Sequence, residues 1–334
     1  MSQIIQIKYD DLFELINEME IRKEKKNKDI NIKIDKPFNR LIFGAPGTGK
    51  SYRVSEDIIK YNLEKTYERI TFYPNYTFSQ FVGTYKPVTR MLNGEKKVFY
   101  EYIPGPFLRV LVKAKKNPDN NYLLVIEEIN RANAAAIFGD IFQLLDRTSF
   151  GESKYGITIS EDMKEYLERE DLDINILKIP QNMYIWATMN SADQNVYHMD
   201  MAFKRRWTSE YIGINENLEA IKNIKVNLNK KEYYWNDIRK ALNKKLIQNG
   251  INEDKLIGPY FFNFEELKSL DKEFEKIFIN KLLIYLYEDV LRHKKVNFFG
   301  DKVNSISDIE SFYKDKMVDM LKVEEILPEI LCKE

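Results

Sequence analysis

Four groups of residues in this chain have the types and spacing for phosphate chemistry. Residues 44–51 read Gly44-Ala45-Pro46-Gly47-Thr48-Gly49-Lys50-Ser51, which is a glycine, four residues, then Gly-Lys-Ser. Glycines there let backbone N–H groups close around phosphate oxygens, and a following helix turns its positive end toward the same charge. In this pattern Lys50 reaches the β- and γ-phosphates of a nucleoside triphosphate, and the Ser51 hydroxyl holds Mg2+. The second group is Glu127-Glu128, at the end of an apolar run over 122–126. Paired acids at the end of such a strand, about eighty residues after a phosphate loop, suit Mg2+ binding through Glu127 and polarisation of the attacking water by Glu128. The third is Asn190, at the tip of another apolar run over 183–188. There it could contact the γ-phosphate or orient water, or simply satisfy a turn. The fourth is the consecutive pair Arg205-Arg206. Most such pairs are solvated, yet an arginine can also neutralise a transferring phosphoryl group, in cis or from a neighbouring subunit.

The elements that must position these residues are legible from periodicity. Leu41-Ile42-Phe43 predicts a buried strand before the loop, and a helix is expected from about 51 to 62. Residues 70–73 predict a second strand, beside which Tyr73, Tyr76, Phe78 and Phe81 read as core packing rather than a base-stacking platform. Asn93-Gly94 between the apolar patches of 85–102 predicts a hairpin. Pro104-Gly105-Pro106 breaks the chain, and a helix over 107–116 ends at Asn117-Pro118. The runs at 122–126 and 183–188 suit a parallel sheet covered on both faces. Between them, one helix is expected to bury Ile137, Phe138, Ile141, Phe142, Leu144 and Leu145, and 148–178 reads as a hairpin and surface insertion.

Residues 213–334 are poor in glycine and rich in Lys and Glu, with helical stripes such as Ile238, Leu242 and Leu246. They read as a helical lid. Residues 1–35 read as a short helical appendage, with Leu12, Phe13, Leu15 and Ile16 at helical spacing. His198 and His293 read as surface or packing residues. The expected fold class is therefore α/β: a phosphate-loop core over 36–212 with a parallel sheet flanked by helices, plus a C-terminal α-helical lid.

At 334 residues the chain has room for that core and a second unit. Lys plus Arg and Asp plus Glu both total 52, so bulk charge argues for neither a nucleic-acid coat nor a membrane-surface protein. One cysteine, Cys332, excludes an internal disulfide framework and fits a reducing cytoplasm. The first residues lack a signal-peptide layout, and no apolar run reaches the ~20 residues that span a bilayer. A cytoplasmic protein without a membrane segment is expected.

Taken together, these residues resemble the AAA+ NTPase subunit of McrBC-type modification-dependent restriction systems. The resemblance rests on residues 44–51, on Phe72-Tyr73 and Tyr85-Lys86-Pro87, and on 102–107. It continues through 125–133 (Val-Ile-Glu-Glu-Ile-Asn-Arg-Ala-Asn), Met189-Asn190-Ser191-Ala192-Asp193 and Lys204-Arg205-Arg206-Trp207, and reaches Ile257-Gly258-Pro259-Tyr260-Phe261 more weakly. It implies a hexameric ring that hydrolyses GTP with Mg2+, is stimulated by an McrC-like endonuclease subunit and translocates on DNA. By position it makes Asn190 the sensor of the γ-phosphate, and Arg205 and Arg206 the cis arginine and the finger to the next subunit. Glu127 stands where the family usually has Asp, which moves the metal-binding carboxylate by one methylene; Ser191 stands where it has Thr and Gln194 where it has Arg, so GTP and ATP both remain open as substrate. Residues 1–35 are too short for the family's DNA-recognition domain, which implies a bare motor. A MoxR-like ATP-driven remodeller and a nucleotide-switched assembly scaffold are the alternative readings.

Overall fold

The computed structural model describes residues 32–191, 197–228, 231–291, 298–299 and 305–309. Strand β1 (Asn39–Gly44) leads through the glycine-rich loop into helix α1 (Lys50–Lys60) and on to β2 (Tyr67–Thr71). After a one-turn helix at Phe78–Phe81 comes an antiparallel hairpin, β3 (Gly83–Leu92) and β4 (Glu95–Pro104), then α2 (Pro106–Lys116) and β5 (Tyr122–Glu127). Two short strands, β6 (Ile157–Thr158) and β7 (Ile176–Leu177), flank α3 (Glu161–Arg169), and β8 (Met183–Asn190) and β9 (Thr208–Tyr211) complete the core.

The central sheet is fully parallel, in the order β2-β5-β8-β1-β9. Such a sheet needs both faces covered, and the alternation of side chains along each strand supplies two apolar faces. Leu124, Ile126, Ile185 and Ala187 point to one core, shared with Phe107 and Leu111 of α2. Leu123, Val125 and Trp186 point to the other, shared with Val54 and Ile58 of α1. β2 alternates half-buried with exposed residues, as an edge strand does.

Register then decides what meets at the carboxyl ends. Gly44 of β1 lies opposite Asn190 of β8, and Thr71 of β2 lies opposite Glu127 of β5. The phosphate loop, the acid pair and Asn190 therefore emerge at one edge of the sheet, the place where open α/β sheets bind ligands.

The expected hairpin turn is present, with Asn93 and Gly94 both at positive φ (54° and 82°), the geometry of a tight two-residue turn. Two expectations within the core need correction. The single helix expected after the acid pair is broken into an α-helix at Ala134–Phe138 and a 3-10 stretch at Gly139–Leu145. Gly139 at φ 46° ends the first piece against the ring of Phe78, and tighter winding still buries Ile141, Leu144 and Leu145. The second correction concerns 148–178, where the hairpin-like pair β6 and β7 encloses the helix α3. Ser160 caps that helix by accepting from the Met163 N–H.

The C-terminal region has its own core around Trp235, Phe262, Phe274 and Leu282. It is not wholly helical: an antiparallel pair, β10 (Lys225–Leu228) and β11 (Lys231–Tyr234), opens it before α4 (Trp235–Gln248) and α5 (Asp271–Ile277). α5 continues into π-helical turns at Phe278–Leu283 and Leu286–Val290. The expected stripe of Ile238, Leu242 and Leu246 is buried. Residues 1–31, including the expected amphipathic stretch, lie outside the described residues, as do Gln194, His293 and Cys332; His198 is exposed. Among the described residues no helix is long and apolar enough to cross a membrane.

Candidate nucleotide site

The loop after β1 holds Gly47 at φ 73° and Gly49 at φ 86°, backbone conformations that a side chain disfavours. Thr48 Oγ1 donates to Ala45 O at 2.9 Å and tightens the turn. Lys50 opens α1, and its Nζ donates to Gly44 O (3.1 Å) and Ala45 O (2.9 Å), so the ammonium folds across its own loop. The same loop therefore carries a cation, Lys50, at the N-terminal end of a helix, where an anion is doubly favoured.

Ser51 Oγ donates to Glu127 Oε2 at 2.9 Å, and Thr188 Oγ1 donates to the same oxygen. The other oxygen, Glu127 Oε1, is buried without a hydrogen-bond partner and lies 3.5 Å from Arg69 Nη1. This set of a hydroxyl and a partly unsatisfied carboxylate is all oxygen, the donor chemistry Mg2+ takes alongside waters and phosphates. The residues fit the ion, and the longer Glu side chain in place of Asp still reaches the Ser51 hydroxyl.

Glu128 adopts a left-handed backbone (φ 54°, ψ 47°), unusual for a residue with a side chain and commonest where function requires it. Its N–H donates to Thr188 Oγ1 at 3.3 Å, and its Oε1 accepts from Asn190 Nδ2 at 2.6 Å. Thr188 and Asn190 are two apart on β8 and share a face. One strand thus holds both acids: Thr188 touches Glu127 and the backbone of Glu128, and Asn190 touches the Glu128 carboxylate.

Asn130 secures Asn190 in turn. Its Nδ2 donates to Asn190 O at 2.8 Å, and its own carbonyl accepts from the Tyr197 N–H at 2.8 Å. A second support lies beneath the loop. The fully buried Arg40 of β1 binds Asp57 of α1 (2.5 Å) and Glu210 of β9 (2.6 Å), which fixes the helix after the phosphate loop to the sheet. Sequence reasoning missed Thr188, Asn130 and the Arg40 triad. For Thr188 the signal was available as the i, i+2 spacing to Asn190; Asp57 and Glu210 reach Arg40 only through the tertiary fold.

The two arginines are not brought to this site. Arg206 donates to Asp146 (Nε, 2.9 Å) and to Ala202 O (2.7 Å), and it stacks 3.8 Å from the Phe142 ring centroid. Arg205 is exposed; its N–H donates to Met201 O at 3.0 Å, and its side chain makes no hydrogen bond or ion pair among the described residues. Both line an open cleft of about 680 Å3 with Phe142, Asp146, Lys154 and Tyr155, and no residue of the phosphate loop or acid pair lines it.

The family model described as an AAA domain of the dynein-related subfamily matches residues 39–207. The chain is 45% identical over 281 residues to a component of the type II restriction enzyme BsuMI, YdiS, of Bacillus subtilis (strain 168), covering 77% of this chain and 80% of that protein. It is 29% identical over 174 residues to the EcoKMcrB subunit of a type IV methyl-directed restriction enzyme of Escherichia coli (strain K12), covering 51% of this chain and 34% of that protein. With the parallel sheet and the phosphate loop at its carboxyl edge, these matches identify the chain as a member of the AAA domain family, an AAA+ nucleoside triphosphatase of the McrB-like kind found in restriction systems.

Proposed function

We propose that this chain is the motor subunit of a restriction assembly, hydrolysing GTP with Mg2+ at sites shared between copies of itself in a ring, most simply a hexamer. One observation carries the reading: Ser51, Glu127, Glu128 and Asn190 converge at one edge of the sheet, while the exposed Arg205 stands in a cleft that contains none of them. A site with its acids in place and its arginine elsewhere suits completion by a second copy.

In this mechanism the backbone N–H groups of the loop and Lys50 bind the phosphates. Ser51 and Glu127 hold Mg2+, which offsets charge on the β- and γ-phosphates when bound. Glu128 accepts a proton from the attacking water, and Asn190, hydrogen-bonded to that carboxylate, orients it and reads the γ-phosphate. Arg205 of the adjacent copy meets charge developing on the transferred group, while Arg206 fixes the helix end that presents it. The restriction relatives support an McrC-like endonuclease as the partner that couples turnover to DNA translocation and cleavage.

The test is GTP and ATP hydrolysis by the purified protein, with and without DNA and an McrC-like endonuclease subunit. The proposal predicts GTP turnover stimulated by that nuclease. Exclusive ATP turnover insensitive to DNA and nuclease would instead favour a remodeller, and equal turnover in wild type and Glu128→Gln would leave only a scaffold.

A further inference from the structure

The C-terminal region grips the phosphate loop by its backbone. Trp235, Arg239 and Asn243 lie four residues apart on α4 and therefore share one face. All three are buried, and all three hold main chain rather than side chains of the 257–259 segment. Asn243 makes a two-way bond with Ile257, Nδ2 donating to its carbonyl (2.9 Å) and Oδ1 accepting from its N–H (2.8 Å). Arg239 donates to the same carbonyl at 3.2 Å and to Ile214 O, at the exit of the core, at 2.9 Å. Trp235 Nε1 donates to Pro259 O at 2.9 Å. The segment so held then binds the loop: Gly258 N–H donates to Pro46 O (3.1 Å) and Tyr260 N–H to Gly47 O (2.8 Å). There is no space between them, since a Cβ on Gly258 would lie 2.3 Å from the Gly47 carbonyl.

A planar trans peptide points its C=O and N–H in opposite directions. Pinning the carbonyls of Pro46 and Gly47 toward the lid therefore turns the N–H groups of Gly47 and Thr48 away from it. In a loop of this kind, those are groups that bind phosphate oxygens. Arg239 illustrates how specific the arrangement is. It is fully buried with no carboxylate partner, and burial lowers its pKa to about 10. Among the described residues its side-chain hydrogen bonds all go to carbonyl oxygens, two of the main chain and two of Asn215 and Asn236.

We propose that Trp235, Arg239 and Asn243 are positioning residues of a latch that seats residues 257–260 on the phosphate loop and presents the Gly47 and Thr48 N–H groups to the nucleotide. Lid seating then sets nucleotide affinity, and by reciprocity nucleotide holds the lid. The proposal rests on the reading of residues 44–51 as the nucleotide loop.

The experiment titrates MANT-GTP and MANT-ATP, with Mg2+, into the full chain carrying Gly258→Ala or Asn243→Ala. The control is Leu282→Ala, which opens the lid core and removes no hydrogen-bonding group of the latch. Thermal unfolding without nucleotide is recorded for each. The latch predicts a Kd raised about tenfold or more in both latch variants, beyond any change in Leu282→Ala, the comparison being made against each variant's loss of thermal stability. It also predicts that turnover at saturating nucleotide falls less than KM rises. If Gly258→Ala does not fold, Asn243→Ala decides. Unchanged Kd in the latch variants, or an equal rise in Leu282→Ala, overturns the latch alone. Absence of binding by the wild type, with no further loss in Lys50→Ala, overturns the nucleotide-site reading and the latch with it.

Discussion

The carboxyl edge of the sheet and the arginine cleft are opposite kinds of place. At the edge, Ser51, Glu127, Glu128, Thr188 and Asn190 form one continuous set of hydrogen bonds built by three adjoining segments. In the cleft, Arg206 is spent on Asp146 and Phe142, and Arg205 is left facing solvent. A side chain that ties off its own surroundings is structural, whereas an exposed arginine beside one is free to act on something outside the chain. In the proposed ring, the two halves would differ because one must be preorganised before nucleotide arrives and the other gains its target only when copies meet.

Substitutions in each region should separate the two. The largest effects belong to the edge. Lys50→Ala should abolish measurable nucleotide binding by fluorescence titration. Glu128→Gln should keep binding and lower turnover by about 10²–10⁴-fold, the range for loss of a positioned base. Arg205→Ala should follow, with turnover down by about 10³-fold and nucleotide affinity within about threefold of wild type. If affinity collapsed instead, Arg205 would belong to the binding half. Arg206→Ala should act mainly on folding. It leaves Asp146 without its cation and uncovers Phe142, for a loss of about 1–2 kcal/mol in denaturant unfolding. Comparing the two arginine variants by stability and by turnover separates the residue that presents from the one that acts.

The smallest effect concerns the support beneath the loop. Burial pushes the Glu210 carboxyl up, but its hydrogen bond and proximity to Arg40 outweigh this and hold its pKa below the ordinary value. A depressed folded value stabilises above the unfolded pKa and is lost as pH falls through the folded one. The stability gap between wild type and Glu210→Gln should therefore stay level from pH 7 to about 5 and narrow below about pH 4. Urea titrations across that range check it.

Much of this was legible beforehand because the relevant signals are local. The loop octet, the fully apolar β5 run and the Asn93-Gly94 turn each carry their geometry in a few neighbouring residues. Where the expectation failed, the deciding contact was distant. Gly139 ends a helix against Phe78, sixty-one positions earlier, which the stripe of Ile137 to Leu145 does not reveal. The β10–β11 pair hides in a region whose composition is helical, since 213–334 is poor in glycine and rich in Lys and Glu. Within the site, the roles suggested for Glu127, Glu128 and Asn190 were visible as motif positions, but Thr188 and Asn130 become meaningful only once β5 and β8 are neighbours. The weak match at 257–261 had no visible reason until Gly258 and Tyr260 were found on the loop.

The central claim is that each site draws its acids from one copy and its arginine from the next. Its most direct test mixes two inactive proteins, Glu128→Gln and Arg205→Ala, and follows phosphate release as the ratio is varied. An intact Glu128 from one chain can then face an intact Arg205 from the other, and random assortment restores about a quarter of wild-type turnover at equal amounts. A mixture no more active than either variant alone, under conditions where both assemble, would contradict the account.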